Sequence, residues 1–392
     1  MYSFWAVLVG FAYLSIFFLF LPWLCRHWPH SRFFRSGVND PEIVRQILHE
    51  NDLRISIAQD SLHNYVKKPT SAEGPVDLVV AVITINRDSD SVGQLGYLTQ
   101  TVARVLSVVQ NDRSEIFRNK IAFICNVDVK ESQHSEAVYL STVVRVISRF
   151  PNGTSTATPQ GKFDVFEKEK SDYVFCLRQA YNYNPRYILM MEDDVLLNHD
   201  SFATLTHLLR SRVDLRKDNL IPWLFTKLYY PEKWQGYGFE PDKIGELIGI
   251  ALLGGTVLAL LAFVLSSRRF TTKTRISALF VVGAMTSTTV AVLVGRQHIQ
   301  SWRRFSHYTH RLIRASDCCT QAVLYPESVV EGLAEYLSGV VCSIDFSVDL
   351  AIDAFARTHS LRRHLVEPNL CRHIGFVSTV RSYAKKAAEF LE

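Results

Sequence analysis

The sequence contains no Walker-type glycine loop, no CxxC pair, no visible internal repeat and almost no net charge. The missing glycine loop means that any bound phosphate must be held by other means. Without CxxC the seven cysteines do not have zinc-site spacing, and without a repeat a solenoid is set aside. With 43 Lys+Arg against 38 Asp+Glu, the surplus of five over 392 residues leaves no nucleic-acid footprint. A chain that is 48% hydrophobic and 21% charged is not a disordered polyelectrolyte either.

What the sequence does have is three long apolar runs. Residues 4–24 carry one conspicuously polar side chain, Ser15, over about the 20 residues that a helix needs to cross a hydrocarbon core. Runs at 247–265 and 276–294 form a second and third candidate span. The loop between these two carries Arg268, Arg269, Lys273 and Arg275 and no acidic residue, which places it in the cytosol and both flanks on the opposite side. Gly254, Gly255 and the Ser/Thr cluster at 286–289 suit close packing of two membrane helices; a pair of buried core helices is the alternative. No Lys or Arg precedes the first run and no small-residue cleavage site follows it, so an uncleaved anchor is expected rather than a signal peptide. Arg26, Arg32 and Arg35 after that run pull its orientation the other way, and with three crossings the basic hairpin loop outweighs them.

The soluble segments alternate between strand and helix patterns. Asn39-Asp40-Pro41-Glu42 is a helix-start signal, and Ile43, Ile47 and Leu48 continue it as a stem helix. The Val/Ile-rich run 76–87 reads as a buried parallel strand. A helix over 97–109, a strand over 120–128, a helix over 136–149, a loop over 148–161, a helix over 168–183 and a strand over 186–198 follow. The alternation predicts an α/β fold built on a doubly wound parallel sheet.

Glu192, Asp193 and Asp194 stand together where the last apolar strand ends, the edge at which open α/β sheets bind ligands. Three adjacent carboxylates repel one another unless a cation joins them. A divalent ion held by one or two carboxylates plus substrate phosphates is the usual hard-ligand solution. In a nucleotide-sugar transferase such an ion stabilises the charge that develops on the departing nucleotide. A solvated acidic strand end is the plain alternative.

Five segments in order, FEKEKSDYVFCL (166–177), YNPRYILMMEDD (183–194), KLYYPE (227–232), CCTQAVLYP (318–326) and VEPNLCRHIG (366–375), resemble the motifs of the post-GPI attachment to proteins GalNAc-transferase family. The last segment and the acidic triplet are more distantly similar to the N-glycan-branching GlcNAc-transferases of family IV. The first resemblance implies a GT-A nucleotide-sugar fold interrupted by a transmembrane hairpin and preceded by an N-terminal transmembrane anchor. The expected organisation is an anchor at 1–25, a lumenal stem at 26–75, catalytic halves at 76–243 and 297–392, and a hairpin at 244–296. It also implies a Golgi multi-pass protein with a cytosolic N-terminus and lumenal catalysis, taking UDP-GalNAc as donor, Mn2+ or Mg2+ as cofactor and GPI as acceptor.

Residue by residue, the resemblance makes Asp194 a metal ligand, with His373 a second metal or diphosphate contact. Asp193 falls near the ribose beside Glu192, and the edge from Thr84 to Arg87 near the uracil. Asp349 falls at the position of the general base in an inverting transfer, with Asp345 and Asp353 close by in sequence. Lys227, Tyr229, Tyr230 and Trp234 are candidates for an acceptor groove, or else core aromatics with a snorkelling lysine.

The acidic triplet precedes the hairpin while Asp349 and His373 follow it, so one active site requires an even number of crossings between them, and two are found. Asn152 heads the only N-x-Ser/Thr sequon, on the lumenal side in this topology. Cys25 ends the anchor; of the other cysteines, Cys318 or Cys319 is expected to pair with Cys342. Rival readings are another lumenal glycosyltransferase of the same fold and a non-enzymatic three-span scaffold. The lack of charged residues within the spans leaves no ion or substrate path for a transporter.

Overall fold

A computed structural model describes residues 11, 13–35, 40–65, 74–87, 95–128, 134–151, 165–214, 222–265, 273–377 and 389–390. Its contacts divide the chain into two units, one of residues 44–230 and 304–385, the other of residues 1–43, 231–303 and 386–392.

The larger unit is a mixed α/β layer structure. Its eight-stranded sheet has the order β3-β2-β1-β4-β8-β6-β9-β7. The strands are β1 (Leu78–Thr84), β2 (Lys120–Asn126), β3 (Arg145–Ser148), β4 (Tyr187–Glu192), β6 (Trp223–Lys227), β7 (Arg311–Arg314), β8 (Ala322–Pro326) and β9 (Arg362–Glu367). β1 carries an unbroken apolar run because both of its faces are covered. Leu78, Val80 and Val82 pack on one side with Leu98, Val102 and Leu106 of α2 (Tyr97–Asn111) and, further along the same layer, Phe202 of α5 (Ser201–Leu208). Val79 and Ala81 pack on the other, where α4 (Val165–Tyr181), α8 (Glu327–Gly339) and α9 (Val348–Thr358) bury Leu177, Leu333 and Ile352.

The sheet corrects the expectation of a wholly parallel arrangement. β3, β2, β1 and β4 are parallel, but β8 runs antiparallel between β4 and β6, and β7 runs antiparallel to β9. Nor is 136–149 one helix. Its helix α3 stops at Leu140 (Ser135–Leu140), and the β-branched run Val143, Val144, Val146 and Ile147 leads into the edge strand β3 instead. The strand expected over 186–198 breaks at Asp193-Asp194, where the chain turns and continues as β5 (Val195–Leu197) in a separate two-stranded sheet with β10 (Cys371–His373). The stem helix forms as α1 (Pro41–His63), capped by the Glu42 N–H donating to Asp40 Oδ1 at 3.0 Å. It is not free-standing: its later part buries Ala58 and Leu62 in the core, and Asn51 Nδ2 donates to Leu95 O at 3.0 Å.

In the smaller unit, α6 (Pro241–Leu265) and α7 (Lys273–Val294) are both long and apolar enough to cross a membrane. Their side chains face outward, with Leu253 67% and Val264 76% exposed. The helices cross where glycines leave no room for a side chain: a Cβ on Gly283 would come within 2.6 Å of Gly254 O, and one on Gly255 within 2.8 Å of Phe280 O. Ser287 Oγ donates across the pair to Ile250 O at 3.1 Å, whereas Thr286, Thr288 and Thr289 bond carbonyls of their own helix. At the shared end of the hairpin, buried Arg296 pairs with Glu246 at 3.1 Å and donates to Gln235 O at 3.0 Å. There the Arg32 N–H also donates to Leu293 O at 2.9 Å. Of the first apolar run, residues 13–24 are helical, and its earlier part lies largely outside the described residues. Asn152, Arg268 and Arg269 also lie outside them.

Candidate active site

β1 and β4 lie side by side in parallel, with Ile83 opposite Glu192, so their C-terminal ends deliver Thr84 and the acidic triplet to one edge. The break in the chain after Glu192 sets the geometry. Asp193 and Asp194 occupy the turn, and β5 beyond them pairs antiparallel with β10, placing Val195 opposite His373. That pairing brings His373 Nε2 to 3.2 Å from Asp194 Oδ2. The Ile374 N–H donates to Asp194 O at 2.8 Å. Gly375 comes next, and a Cβ there would collide with Asp194 Oδ2 and stand 2.9 Å from His373 Nε2, so only glycine lets the backbone pass.

Arg87, just past β1, binds both turn carboxylates: one guanidinium nitrogen donates to Asp193 Oδ1 and another to Asp194 Oδ2 at 2.6 Å. The carboxylate side chains are 4% and 2% exposed, so this is a desolvated, charge-assisted pair of bonds. Burial works against the Arg87 charge, but the neighbouring carboxylates outweigh it and raise its pKa further. Burial raises the pKa of Asp193, and Arg87 opposes that rise. Thr84 Oγ1 donates to Asp193 Oδ2 at 2.7 Å and lies 2.7 Å from His134 Nε2; Thr101 Oγ1 donates to Asp193 O at 2.7 Å. Tyr97 lies under Arg87, its ring centroid 5.7 Å from the guanidinium carbon, and its hydroxyl accepts the Phe376 N–H at 3.0 Å. Burial pushes that hydroxyl up to about 12, so it stays protonated.

Beside this cluster a cavity of about 210 Å3 opens between the ends of β1 and β4 and the first turns of α4. Its polar walls include Thr84, Arg87, Lys168, Glu169, Asp172, Glu192 and Asp193. Tyr97, Thr101 and His134 carried no signal in the sequence, and Glu169 only its place within the segment 166–177: the sheet order and the helix packing bring them to this edge.

The remaining expected residues divide. Lys227 and Tyr229 do not line a groove, because both are buried in the core at 3% and 6% exposure. The Lys227 ammonium donates to the carbonyls of Ser316, at 3.1 Å, and Cys318, and burial pulls it down to about 8 while Asp349 resists. Tyr229 packs its ring 5.8 Å from that of His373, and the Tyr230 N–H donates to Asn369 Oδ1 at 3.0 Å. Trp234, 47% exposed, falls in the smaller unit. Asp353 is held by Arg357 and Arg363, and Asp345 is exposed. Asp349 opens α9 with Oδ2 accepting the Cys319 N–H at 2.9 Å; its Oδ1 is buried without a hydrogen-bond partner among the described residues.

The expected bridge from Cys318 or Cys319 to Cys342 is corrected. Cys319 is bonded to Cys318, and Cys125 of β2 to Cys176 of α4. Cys342 remains a thiol, fixed in the core after α8 by its backbone N–H donating to Glu167 Oε2 at 2.8 Å.

A family model described as GPI-N-acetylgalactosamine transferase PGAP4 matches residues 78–372, well over half of the chain. The chain belongs to this family. The match starts with the first residue of β1 and runs into β10, so it contains Arg87, the acidic triplet, the hairpin and Asp349, and stops one residue short of His373. The PGAP4 family is one of glycosyltransferases, and its name gives GPI as acceptor and N-acetylgalactosamine as the group moved. The resemblance in the five sequence segments is thereby met by the family match.

Proposed function

We propose that this chain is a Golgi-lumenal, metal-dependent transferase of GT-A type that moves GalNAc from UDP-GalNAc to the GPI glycan with inversion. The observation that carries the reading is the convergence, beside a cavity at the C-terminal sheet edge, of Arg87, Asp193, Asp194 and His373 in a chain of the PGAP4 family. The cavity is smaller than the roughly 300–1,000 Å3 of a pocket that engulfs a whole ligand. It suits one part of a nucleotide sugar, with the rest reaching out past the acidic turn.

The residues present fit a divalent ion. The Asp194 carboxylate, whose Oδ2 also accepts from Arg87, and His373 Nε2 bring a hard oxygen donor and an imidazole nitrogen together, beside a backbone that has no Cβ at Gly375. Among the described residues no cluster of three or more His, Cys, Asp or Glu forms a complete metal site, so the remaining ligands would be diphosphate oxygens and water. When bound, such an ion neutralises charge on the departing UDP. The chain's own part is to present Arg87 as a second fixed positive charge, and to hold Asp193 in place through Thr84 and Thr101.

Two apolar helices inside the catalytic sequence suit an acceptor that is itself tethered to a bilayer. Together with the apolar helix at 13–24 and Arg32 tied to Leu293, they support a three-span membrane protein. Isothermal titration of a panel of UDP-sugars in manganese tests the donor. UDP-GalNAc binding more tightly than UDP-GlcNAc is the expected result, and the reverse order would favour a GlcNAc-transferase.

A further inference from the structure

The carboxylates around the cavity differ in what already holds them. Asp193 is taken by Arg87 and Thr84, and Asp172 by Lys168 at 2.5 Å and by Arg149. Glu192 has contacts of its own. Asp349 is not among the cavity walls, one of its oxygens accepts the Cys319 N–H, and the other is buried. Glu169 is different. It projects from α4 into the cavity wall, and among the described residues it makes no hydrogen bond and no ion pair.

We propose that Glu169 is the catalytic base of the transfer, an inference that rests on the functional reading above. Its carboxylate takes the proton from the acceptor hydroxyl as that oxygen bonds to the anomeric carbon of the donor. The bond from that carbon to the phosphate oxygen breaks, and its electron pair leaves with UDP. Asp349 acts through Glu169, as a fixed negative charge behind the wall.

The surroundings of Glu169 suit this task. Burial, then the charges of Asp349 and Asp172, push its carboxyl up to about 7. A base works best when its pKa lies near the operating pH, because it is then both deprotonated and basic enough to take a proton. The charged groups facing it are Lys168 and Asp172 on α4, Arg149 after β3, Asp349 on α9 with Lys227 of β6 near it, and Arg87, Glu192 and Asp193 across the cavity. Among the described residues no cation pairs with Glu169 directly: Lys168 and Arg149 are engaged by Asp172, and Arg87 by the acidic turn.

The test is the pH dependence of kcat/KM for wild type, Glu169→Gln, Glu169→Asp and Asp349→Asn in the full-length detergent-solubilised protein, with UDP binding measured alongside. Glu169→Gln should bind UDP as wild type does and lose about 100-fold or more in turnover, within the usual range for a positioned base. The wild-type profile should rise through about pH 7. Glu169→Asp should keep part of the rate, and Asp349→Asn should move the acidic limb to lower pH rather than remove it. Turnover is read both as transfer to GPI and as hydrolysis of whichever UDP-sugar binds. A wrong donor or acceptor therefore sinks the functional reading while the Gln variant still reports on the base. Glu169→Gln within threefold of wild type, or an acidic limb lost with Asp349→Asn and kept with Glu169→Gln, would overturn the assignment.

Discussion

His373 Nε2 lies 3.2 Å from Asp194 Oδ2, although 179 residues separate the two along the chain. The contact is made by the register of β5 on β10, and the stretch between them includes the whole apolar hairpin. Asp194 and His373 should therefore act together on a metal ion. Manganese should raise the melting temperature of the wild type and tighten UDP binding, and Asp194→Asn or His373→Ala should each remove most of both effects. Differential scanning fluorimetry with and without EDTA checks this. An undiminished manganese shift in both variants would place the ion elsewhere.

Arg87 holds two adjacent carboxylates that are almost fully buried. Removing it leaves both without their cation, so Arg87→Ala should destabilise the protein by roughly 3–5 kcal/mol. Arg87→Lys should rescue only part of this, because an ammonium is a point charge and cannot fork to Asp193 and Asp194 as guanidinium does. Denaturant unfolding of the three proteins, compared at one pH, measures it.

Gly375 sits against Asp194 with no space for one more carbon. Gly375→Ala should push the segment after β10 off the acidic turn, cutting UDP affinity at least about tenfold while the core stays folded. Near-UV circular dichroism and titration calorimetry separate the two. Unchanged affinity would show that the turn tolerates the shift.

Glu169 also links stability to pH. Its folded pKa, about 7, lies above the ordinary glutamate value of 4.5, so between these values the folded state binds more protons than the unfolded one. Stability then falls as pH rises through that window, by up to about 3 kcal/mol, and is greatest below it. Glu169→Gln should flatten this part of the pH–stability curve. Parallel curves for the two proteins would mean that the carboxyl titrates normally.

Features written into consecutive residues were legible in the sequence. The doubly buried β1, the start of α1 at Asp40-Pro41, the hairpin with its glycines and the acidic triplet each follow from a local pattern. What was hidden depends on which strand meets which. The antiparallel insertion of β8 leaves no mark on the composition of a strand buried on both faces. The edge strand β3 reads as helix in the sequence because Ser135 to Leu140 does begin one. The pairing of Cys319 with its own neighbour runs against the usual search for distant partners. Tyr97 and Glu169 reach the site through helix packing on the two faces of the sheet, and a spacing rule has no access to that.

The most direct test of the account is transfer from UDP-GalNAc to GPI in microsomes of cells that lack the endogenous activity, with manganese or with EDTA, for wild type and Asp194→Ala. Manganese-dependent GalNAc on the GPI glycan, lost in EDTA and lost in the variant at equal expression, is the predicted result. Transfer unaffected by EDTA or by the substitution would contradict the metal site at Asp194. No transfer by a well-expressed, correctly localised wild type would contradict the assignment of donor and acceptor.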